Sequence, residues 1–520
     1  MPENATQSTP PARETFTAWA AGQWHGAPAW YRAAAPAAVI VGTALAIAKA
    51  FSTGIGYDEA YNWHLYLQHD FARIWTHFDA NNHLLNTFLS RLSIEVFGPH
   101  EWAMRLPALA GRLAFLLAVP LLCALLLRGW GLRLGILALI AAQPVLLDYG
   151  ALSRGYSLAL AFAAWGLAAG LWKMARDTAA PPPPLRHDAP LLIGISILFG
   201  LSAATVPVFI NFAAPFCAIV AGRELLSRGP WRRAVYTGGL LALPAAVLNF
   251  AAWGPLLPLV QRADLYMGAP TPWFAYQSLH FALLYYENIN TTPLPDWPFR
   301  AATALLVSGP AQVGTALLLA AAVAAGLLQR TNLPLRWTAA ALLAAGGVSA
   351  AQSLLLRFPW PVDRTILYAV PLLLLIVPAA LQTAVPAAGR RWRMAGWTLF
   401  ALFAVYQSSK LTLEWYYPFR TSGPVREVIQ KLQARAPAEG PPILFVYTEW
   451  VRWDVDYYRA VYDLDGIEFL RDDQVDSLTA PRPDYILTFI HEAPDHPAYT
   501  EEARYPIAPL VLLRRENAGP

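Results

Sequence analysis

Long apolar runs separated by short polar connections occupy most of the chain, and this pattern predicts a polytopic membrane protein. A helix that crosses a bilayer needs about 20 mainly apolar residues. By that length we expect about eleven spans. They lie near residues 33–51, 103–127, 133–148, 157–175, 190–205, 207–222, 234–253, 303–328, 336–356, 365–385 and 394–411. The predicted fold class is therefore mainly α, a bundle of transmembrane helices.

Longer segments interrupt this pattern. Residues 52–102 and 254–302 mix aromatic and polar side chains, which is typical of helices at a membrane interface. From residue 412 to residue 520 the long apolar runs end, and short helical and strand-like patterns alternate. We expect helices over Val425 to Ala434 and Arg452 to Tyr462, and strands over Ile443 to Tyr447, Tyr485 to Phe489 and Leu510 to Arg514. This alternation predicts a small α/β domain.

Lysine and arginine gather in alternate short connections, which predicts the orientation of the protein. The clusters are Arg128 and Arg133; Lys173, Arg176 and Arg186; Arg223, Arg228, Arg232 and Arg233; Arg330 and Arg336; and Arg390, Arg391 and Arg393. They place a leader of residues 1–32 in the cytoplasm. A transmembrane catalytic domain of residues 33–411 follows, and an extracytoplasmic domain of residues 412–520 ends the chain. We predict a multi-pass protein of the inner, cytoplasmic membrane, with residues 52–102, 254–302 and 412–520 on its outer, periplasmic side.

Composition narrows the class of protein. Hydrophobic residues make up 56% of the 520 residues and charged residues 14%, whereas soluble domains carry roughly 25% charged residues. The net charge of +4 comes without a basic run, which excludes a nucleic-acid partner. Cys123 and Cys217 lie inside apolar runs, so neither a disulfide framework nor a zinc-type cysteine motif is expected.

The most informative polar feature is Asp58-Glu59, which follows the first span directly. Two adjacent carboxylates repel each other, so at a membrane boundary they require a cation, a proton or a polar substrate. We interpret Asp58 as a catalytic group, the alternative being an interfacial helix cap. Glu59 is the second candidate, although neighbours on a helix cannot both face one point.

Several arginines are candidates for binding an anion, because a guanidinium presents a planar fork of donors to phosphate. Arg105 and Arg112 lie seven residues apart on one face of the second span, where a buried charge should meet a carboxylate or a phosphate. Arg154 occupies a short outer connection, where the alternative is an arginine that snorkels to the interface. Arg357 and Arg364 flank a Pro-Trp-Pro turn and are either phosphate ligands or interface anchors.

His83 follows Asn81-Asn82 and precedes a predicted helix over Leu84 to Phe97. It is a candidate for orienting Asp58, binding phosphate or holding a metal, the alternative being a residue of a helix start with capping neighbours. A divalent metal ion held by Asp58, Asp148 and His83 is a candidate cofactor, since oxygen and imidazole ligands can come from separate loops.

An ordered set of motifs resembles one family of membrane enzymes. The motifs are Asp58-Glu59-Ala60-Tyr61, Asn82 to Thr87, Phe97 to Gly111, Gln143 to Tyr149 running into Ser153 to Leu158, and Arg364 to Tyr368 with Pro371. In order and spacing they resemble glycosyltransferases of the C-type fold (GT-C). The branch concerned contains the dolichyl-phosphate-mannose protein mannosyltransferases and the aminoarabinose lipid A transferases.

The resemblance implies a sugar donor carried on a polyprenyl phosphate and used at the outer membrane face. It implies that Asp58, with Glu59 beside it, acts at the acceptor. It also implies that Arg154 and Tyr156 lie near the donor phosphate, with Arg105, Arg357 and Arg364 as further candidates. Asn82 and His83 would then orient the acceptor side of the site.

One position departs from the family pattern. Relatives often have a glutamate two residues before the arginine of the Arg-x-Tyr element, where this chain has Leu152. Asp148 is the candidate that compensates for it.

We therefore expect a hexosyl- or pentosyltransferase that moves a sugar to an envelope acceptor, namely a lipid-linked glycan, lipid A or a protein. A carboxylate that accepts the proton of the acceptor hydroxyl contributes typically ~10²–10⁴-fold, and Asp58 suits that role. The alternative is a polytopic lipid or solute transporter or flippase. That class favours inverted repeats and broken helices with polar groups at mid-membrane, and the sequence contains no visible repeat.

Overall fold

The computed structural model describes two compact units of the chain. One, the transmembrane unit, comprises Met1–Ile47, Trp75–Asn86 and Pro107–Leu411; the other, the sheet unit, comprises Ala48–Ile74, Thr87–Leu106 and Thr412–Pro520. The residues described are 14–179, 183–226, 231–260, 269–284, 296–384 and 389–516, the last range without 414–415, 417–418, 438–440, 463, 473–482, 493–495, 497 and 506–507.

Within the described residues, eight helices are long and apolar enough to cross a membrane. They are Ala29–Ser52, Glu101–Leu126, Tyr156–Ala179, Leu185–Thr205, Pro207–Leu225, Trp231–Trp253, Gly309–Leu328 and Leu333–Leu355. A bent pair, Trp130–Ala142 and Pro144–Ala151, is a ninth candidate if it forms one span. The predicted polytopic helical fold is confirmed, whereas the expected count of about eleven is not.

The difference in count has identifiable causes. Pro144 disfavours a helical conformation at Gln143, and the helix axis bends there by 54°. Gln143 is extended, and its side chain accepts a hydrogen bond from the Leu146 amide to cap the second helix. The run predicted at 365–385 forms only the 16-residue helix Ala369–Ala384. The run at 394–411 falls in Gly389–Ser408, a helix that does not meet the span criterion among the described residues.

The other helices are shorter. They are Phe16–His25, Tyr57–Asn62, Arg73–Thr76, Leu84–Phe97, Pro272–Leu284, Asp296–Val307, Val425–Arg435 and Arg452–Val461, with a π-helical turn at Trp63–Leu67 and 3₁₀ turns at Pro207–Phe209, Leu257–Leu259, Asp363–Ile366 and Glu449–Val451. Leu84–Phe97 has the bounds expected from the sequence.

Small residues and hydroxyl groups join the helices of the transmembrane unit. A Cβ atom on Gly111 would lie 2.6 Å from the backbone nitrogen of Leu158, so the helices Glu101–Leu126 and Tyr156–Ala179 cross at very short range. Beside this crossing, the Ser157 hydroxyl donates to the Ala108 carbonyl over 2.6 Å. Small interfacial residues and interhelical hydrogen bonds are the contacts that hold helices together in lipid.

A buried charge network joins four helices of the same unit. Lys173 Nζ lies 2.6 Å from Asp177 Oδ2 and 2.8 Å from Glu224 Oε1. Arg176 contacts Asp188 at 2.6 Å, and Arg233 contacts Glu224 at 2.9 Å. Lys173, Arg176 and Arg233, from which the sequence predicts the orientation of the protein, are thus each paired with a carboxylate. They therefore also hold the four helices together.

The sheet unit contains a five-stranded sheet in the order β2-β1-β3-β5-β4. Its strands are β1 Ile443–Tyr447, β2 Ile467–Arg471, β3 Tyr485–Phe489, β4 Tyr499–Tyr505 and β5 Leu510–Arg515. Strand β1 is parallel to β2 and β3, whereas β5 is antiparallel to β3 and β4. The predicted α/β fold of the C-terminal region is confirmed.

The core of the sheet unit draws on two distant parts of the chain. Ile55, Ala60 and Trp63 from the first predicted outer loop are buried in one cluster with Val428 and Tyr457. The unit thus joins residues 48–74 and 87–106 to residues 412–520. This packing places the acidic pair among the side chains of the C-terminal α/β fold.

Candidate active site

The acidic pair sits at the start of a short helix, Tyr57–Asn62. Gly56 is the residue before the helix and has no side chain that could cap it. The Glu59 carboxylate instead accepts the Gly56 amide over 2.9 Å. One of the first amides of the helix, which have no partner within it, is therefore satisfied by the second acid of the pair.

Arg105 and Glu59 form a buried ion pair in the sheet unit, and both side chains are 0% exposed. Arg105 Nη2 lies 2.6 Å from Glu59 Oε2, and Nε lies 3.0 Å from Oε1. The remaining N–H groups donate to the carbonyls of Ala50, Thr53 and Gly54 at 2.6–2.8 Å. A guanidinium has five N–H donors, and all of them are used here. Arg105 was expected to bind phosphate, but in this geometry it holds Glu59 and has no donor left for a phosphate.

Asp58 has a different environment from its neighbour. It is buried with 7% of its surface exposed, whereas Glu59 is 1% exposed and occupied by Arg105. Successive residues of a helix point about 100° apart, so Asp58 does not share the direction of the ion pair. It shares its helix face with the buried Asn62, four residues on.

The acidic helix also contacts the helix Arg452–Val461 of the C-terminal region. Trp453 Nε1 donates to the Tyr57 hydroxyl over 3.1 Å. The Trp453 ring lies 5.1 Å from that of Tyr61 and 4.6 Å from that of His64. These contacts, all within the sheet unit, fix the helix at its first residue and over its second turn.

A second group of predicted residues lies together in the transmembrane unit. Arg154 is 1% exposed, and its Nη1 donates to the Asn81 carbonyl over 3.4 Å. The ring of His83 lies 4.9 Å from that of Tyr156, which in turn lies 5.0 Å from that of Tyr149. The structure thus places a guanidinium, an imidazole and two phenol rings in one cluster, which we call the cationic cluster.

Arg364 belongs to the same electrostatic environment. Burial lowers the pKa of His83 well below its usual value, and the charges of Arg154 and Arg364 lower this pKa further. The imidazole of His83 is therefore neutral at physiological pH. Arg154 and Arg364 therefore both lie close enough to act on this imidazole, and a guanidinium presents a planar fork of donors that suits phosphate.

Gly155 allows this cluster to form. A Cβ atom at this position would lie 2.7 Å from Thr205 Cγ2 and 3.0 Å from His83 Cβ. A larger residue would push His83 or Thr205 away from the Arg154–Tyr156 segment. The glycine inside the Arg-x-Tyr element is thus a packing requirement of the cationic cluster.

The other predicted residues have varied positions. Asp148 is fully buried on the helix Pro144–Ala151, one turn before the buried Leu152. Asn82 is 2% exposed beside His83 in the chain. Arg357 is exposed with a positive φ of 57°, just after the helix Leu333–Leu355. It is not among the charges that act on His83.

The candidate metal site does not fit the structure. Among the described residues, no three histidine, cysteine, aspartate or glutamate side chains are grouped so that they could hold a metal ion. The hypothesis of a metal held by Asp58, Asp148 and His83 is therefore not supported, and we derive no chemical step from a metal.

A narrow apolar pocket lies in the transmembrane unit. The helix Ala369–Ala384 contributes Pro371 and Leu375 to its wall, and Phe115, Leu160 and Phe212 come from three further helices. Tyr368 also lines the pocket, four residues after Arg364. Such a lining suits a hydrocarbon chain.

The fold and these clusters define a multi-pass membrane protein with buried acidic and cationic groups and a C-terminal α/β region. Among solved structures, the chain is similar to ArnT from Cupriavidus metallidurans bound to undecaprenyl phosphate, with 13% identity and a TM-score of 0.39 over 95% of this chain and 100% of that one. The apo state of ArnT from Cupriavidus metallidurans gives 15% identity and a TM-score of 0.35, over 93% and 98%. No family model and no curated protein matches the chain.

Proposed function

We propose that the protein is a membrane glycosyltransferase that moves a hexosyl or pentosyl group from a polyprenyl phosphate to an envelope acceptor. The observation that carries this proposal is the unequal environment of the acidic pair. Arg105 binds Glu59 with every N–H it has. The adjacent Asp58 points in another direction from the same helix and lies outside this ion pair.

The cationic cluster supports the donor half of the proposal. Arg154 and Arg364 would bind the donor phosphate, with Tyr156 and neutral His83 as further polar contacts. Arg364 lies four residues before Tyr368, a residue of the apolar pocket. A lipid phosphate on the arginines could therefore extend its prenyl chain toward Pro371 and Phe212.

The reaction needs a base and a stabilised leaving group. Asp58 accepts the proton of the acceptor hydroxyl while the acceptor oxygen forms a bond to the anomeric carbon of the sugar. The bond from that carbon to the phosphate oxygen breaks, and the polyprenyl phosphate leaves with the electron pair. Guanidinium groups at a buried site stabilise the negative charge that develops on the phosphate. A single displacement of this kind inverts the anomeric configuration.

The acceptor follows from the predicted orientation. With Asp58 on the outer, periplasmic side of the inner membrane, the acceptor is a lipid-linked glycan, lipid A or a protein of the envelope. Each can offer a hydroxyl group to a base at the membrane surface.

A lipid transporter or flippase is the second candidate function. It is favoured by the 54° break between Trp130–Ala142 and Pro144–Ala151, with Asp148 buried just after the break. Broken helices with polar groups are typical of transporters. A transporter would move the intact lipid and would leave the bond between sugar and phosphate unbroken.

Transfer by the full-length protein in liposomes tests both candidates. The donors are labelled polyprenyl-phosphate hexoses and pentoses, and an envelope lipid extract supplies the acceptor. We expect label on the acceptor, with ~10²–10⁴-fold less in Asp58→Asn. Asp456→Asn is the matched control, since Asp456 is a half-buried surface carboxylate paired with Arg452 and Arg459. Equal transfer by Asp58→Asn would refute the base assignment. Movement of intact donor across the bilayer without transfer would favour the flippase.

A further inference from the structure

The helix that carries Asp58 is capped by a side chain from the far end of the sequence. The Ser422 hydroxyl accepts the Tyr57 amide over 2.9 Å, across 365 positions of the chain. Tyr57 is the first residue of the helix, and its amide is one of those that have no partner within the helix. Gly56 cannot supply it, so Ser422 takes the place of the local cap.

Asp454 fixes the direction of that hydroxyl. Ser422 Oγ donates its proton to Asp454 Oδ2 over 3.2 Å. Because the oxygen already accepts the Tyr57 amide, the bond to Asp454 determines which lone pair faces the helix. Ser422 is 1% exposed and Asp454 is 0% exposed, so water does not compete for either group. Tyr57, Ser422 and Asp454 form one continuous hydrogen-bonded chain inside the sheet unit.

The buried setting of Asp454 favours the neutral form of its carboxyl group. Burial raises the pKa of Asp454 well above its usual range, and the nearby charges of Glu59 and Asp58 raise this pKa further. Among the described residues, its second oxygen, Oδ1, has no hydrogen-bond partner. An ionised carboxylate would be costly in such a site. A neutral acid keeps the acceptor for Ser422 and adds no third negative charge beside the acidic pair.

We propose that Ser422 and Asp454 are positioning residues for Asp58, through the chain of hydrogen bonds that caps its helix. The proposal rests on the role of Asp58 as the base of the transfer reaction. The helix Tyr57–Asn62 is only six residues long and cannot hold its own orientation, because isolated helices of this length are unstable in water. Its direction is set by the Arg105–Glu59 pair, by the Trp453 contacts and by the Ser422–Asp454 cap.

Four substitutions distinguish a positioning role of Ser422 and Asp454 from a role in stability alone. Ser422→Ala removes the acceptor of the Tyr57 amide, and Asp454→Ala releases the hydroxyl. Asp454→Asn resembles the neutral acid and keeps an oxygen for Ser422. Asp456→Ala, on the same helix as Asp454, is the matched control because its partly exposed carboxylate pairs with Arg452 and Arg459.

Two readouts on the full-length protein in micelles test the proposal. Hydrogen exchange of the Tyr57 amide should be faster in Ser422→Ala and Asp454→Ala and unchanged in Asp454→Asn and the control. Transfer should fall in kcat by roughly 10- to 100-fold in the two alanine variants, as expected for a displaced catalytic group, with KM for the donor unchanged. Thermal unfolding confirms that each variant is folded.

Each result bears on one hypothesis. Wild-type exchange or wild-type kcat in Ser422→Ala would overturn the proposal. So would a loss in Asp454→Asn as large as in Asp454→Ala, since Asp454 would then act as an ionised group. Absence of transfer by the wild-type protein would instead refute the proposed function, and exchange of the Tyr57 amide would still decide whether the cap exists.

Discussion

Arg105 and Glu59 are joined by a fork-to-fork ion pair in which neither side chain is exposed, with Nη2 and Oε2 2.6 Å apart. A buried charge that loses its partner is costly, whereas a pair with all its hydrogen bonds made is tolerated. The pair therefore links the acidic helix to the carbonyls of residues 50–54 and separates the roles of two adjacent acids.

Breaking this pair should destabilise the protein strongly. We expect Glu59→Gln to lower the free energy of unfolding by about 3–5 kcal/mol, as for other buried pairs that lose one partner. Arg105→Met should cost at least as much, because the carbonyls of Ala50, Thr53 and Gly54 also lose their donors. Denaturant unfolding in micelles measures both. The control is Glu427→Gln, whose exposed pair with Lys431 should contribute less than about 1 kcal/mol. Equal losses of unfolding free energy at the two ion pairs would contradict a stabilising role for the buried Arg105–Glu59 pair.

The cationic cluster should require the guanidinium shape of Arg154 as well as its charge. Arg154→Lys keeps the charge but loses the planar fork, so we expect KM for a polyprenyl-phosphate sugar to rise by roughly 10-fold, about the effect of one lost charge-assisted hydrogen bond. Arg330→Lys, at an exposed position, should leave KM unchanged. The kinetics are measured at saturating acceptor. An unchanged KM in Arg154→Lys would exclude Arg154 as a phosphate ligand.

His83 should make the protein less stable in mild acid. Its pKa is lower in the folded state than the usual value of about 6.5, so the unfolded chain binds the extra proton first. Stability is then complete above that value and falls as the pH decreases from about 6.5 toward the folded pKa. The temperature of thermal unfolding should fall less steeply with decreasing pH for His83→Gln than for the wild type. The control His25→Gln, at an exposed position, should follow the wild type. A steeper fall in stability for His83→Gln than for the wild type would contradict a lowered pKa of His83 in the folded state.

The close helix crossing at Gly111 gives a prediction about packing. Gly111→Ala places a methyl group 2.6 Å from the backbone of Leu158, where no flexible side chain can give way. We expect a loss of about 1–3 kcal/mol, typical of overpacking. Gly346→Ala is the control, since nothing lies within 4 Å of its added Cβ. Thermal unfolding in the same detergent compares them, and an equal effect at the two glycines would contradict the crossing.

The sheet shows which elements a sequence pattern can reveal. The predicted strands β1, β3 and β5 are the three inner strands of the order β2-β1-β3-β5-β4, and each is a nearly continuous apolar run. The two strands not predicted, β2 and β4, are the edges. Strand β4 carries Glu501, Glu502 and Arg504 and has no buried residue, so its pattern has no apolar alternation. Edge strands depend on the partner strand for their definition, and this information is not local.

The residues of the candidate site also divide into those that the sequence identified and those that only the structure identified. Sequence motifs identified Arg154, Tyr156 and His83, and the structure brings these three into one cluster. The role of Ser422 and Asp454 was not identified, although a signal was present. Asp454 shares a helix face with Tyr457, Tyr458 and Val461 by its spacing, and an acid on an apolar face is unusual.

By itself the sequence determined the membrane class, most of the spans and the acidic pair, because these depend on the length and composition of local runs. Only the tertiary structure decided which acid of the pair Arg105 binds. Asp58 and Glu59 are chemically similar neighbours, and their difference arises from the direction in which each points. Arg105, 46 positions away from Glu59, lies in one of those directions, and a partner so distant in the chain is fixed only by packing.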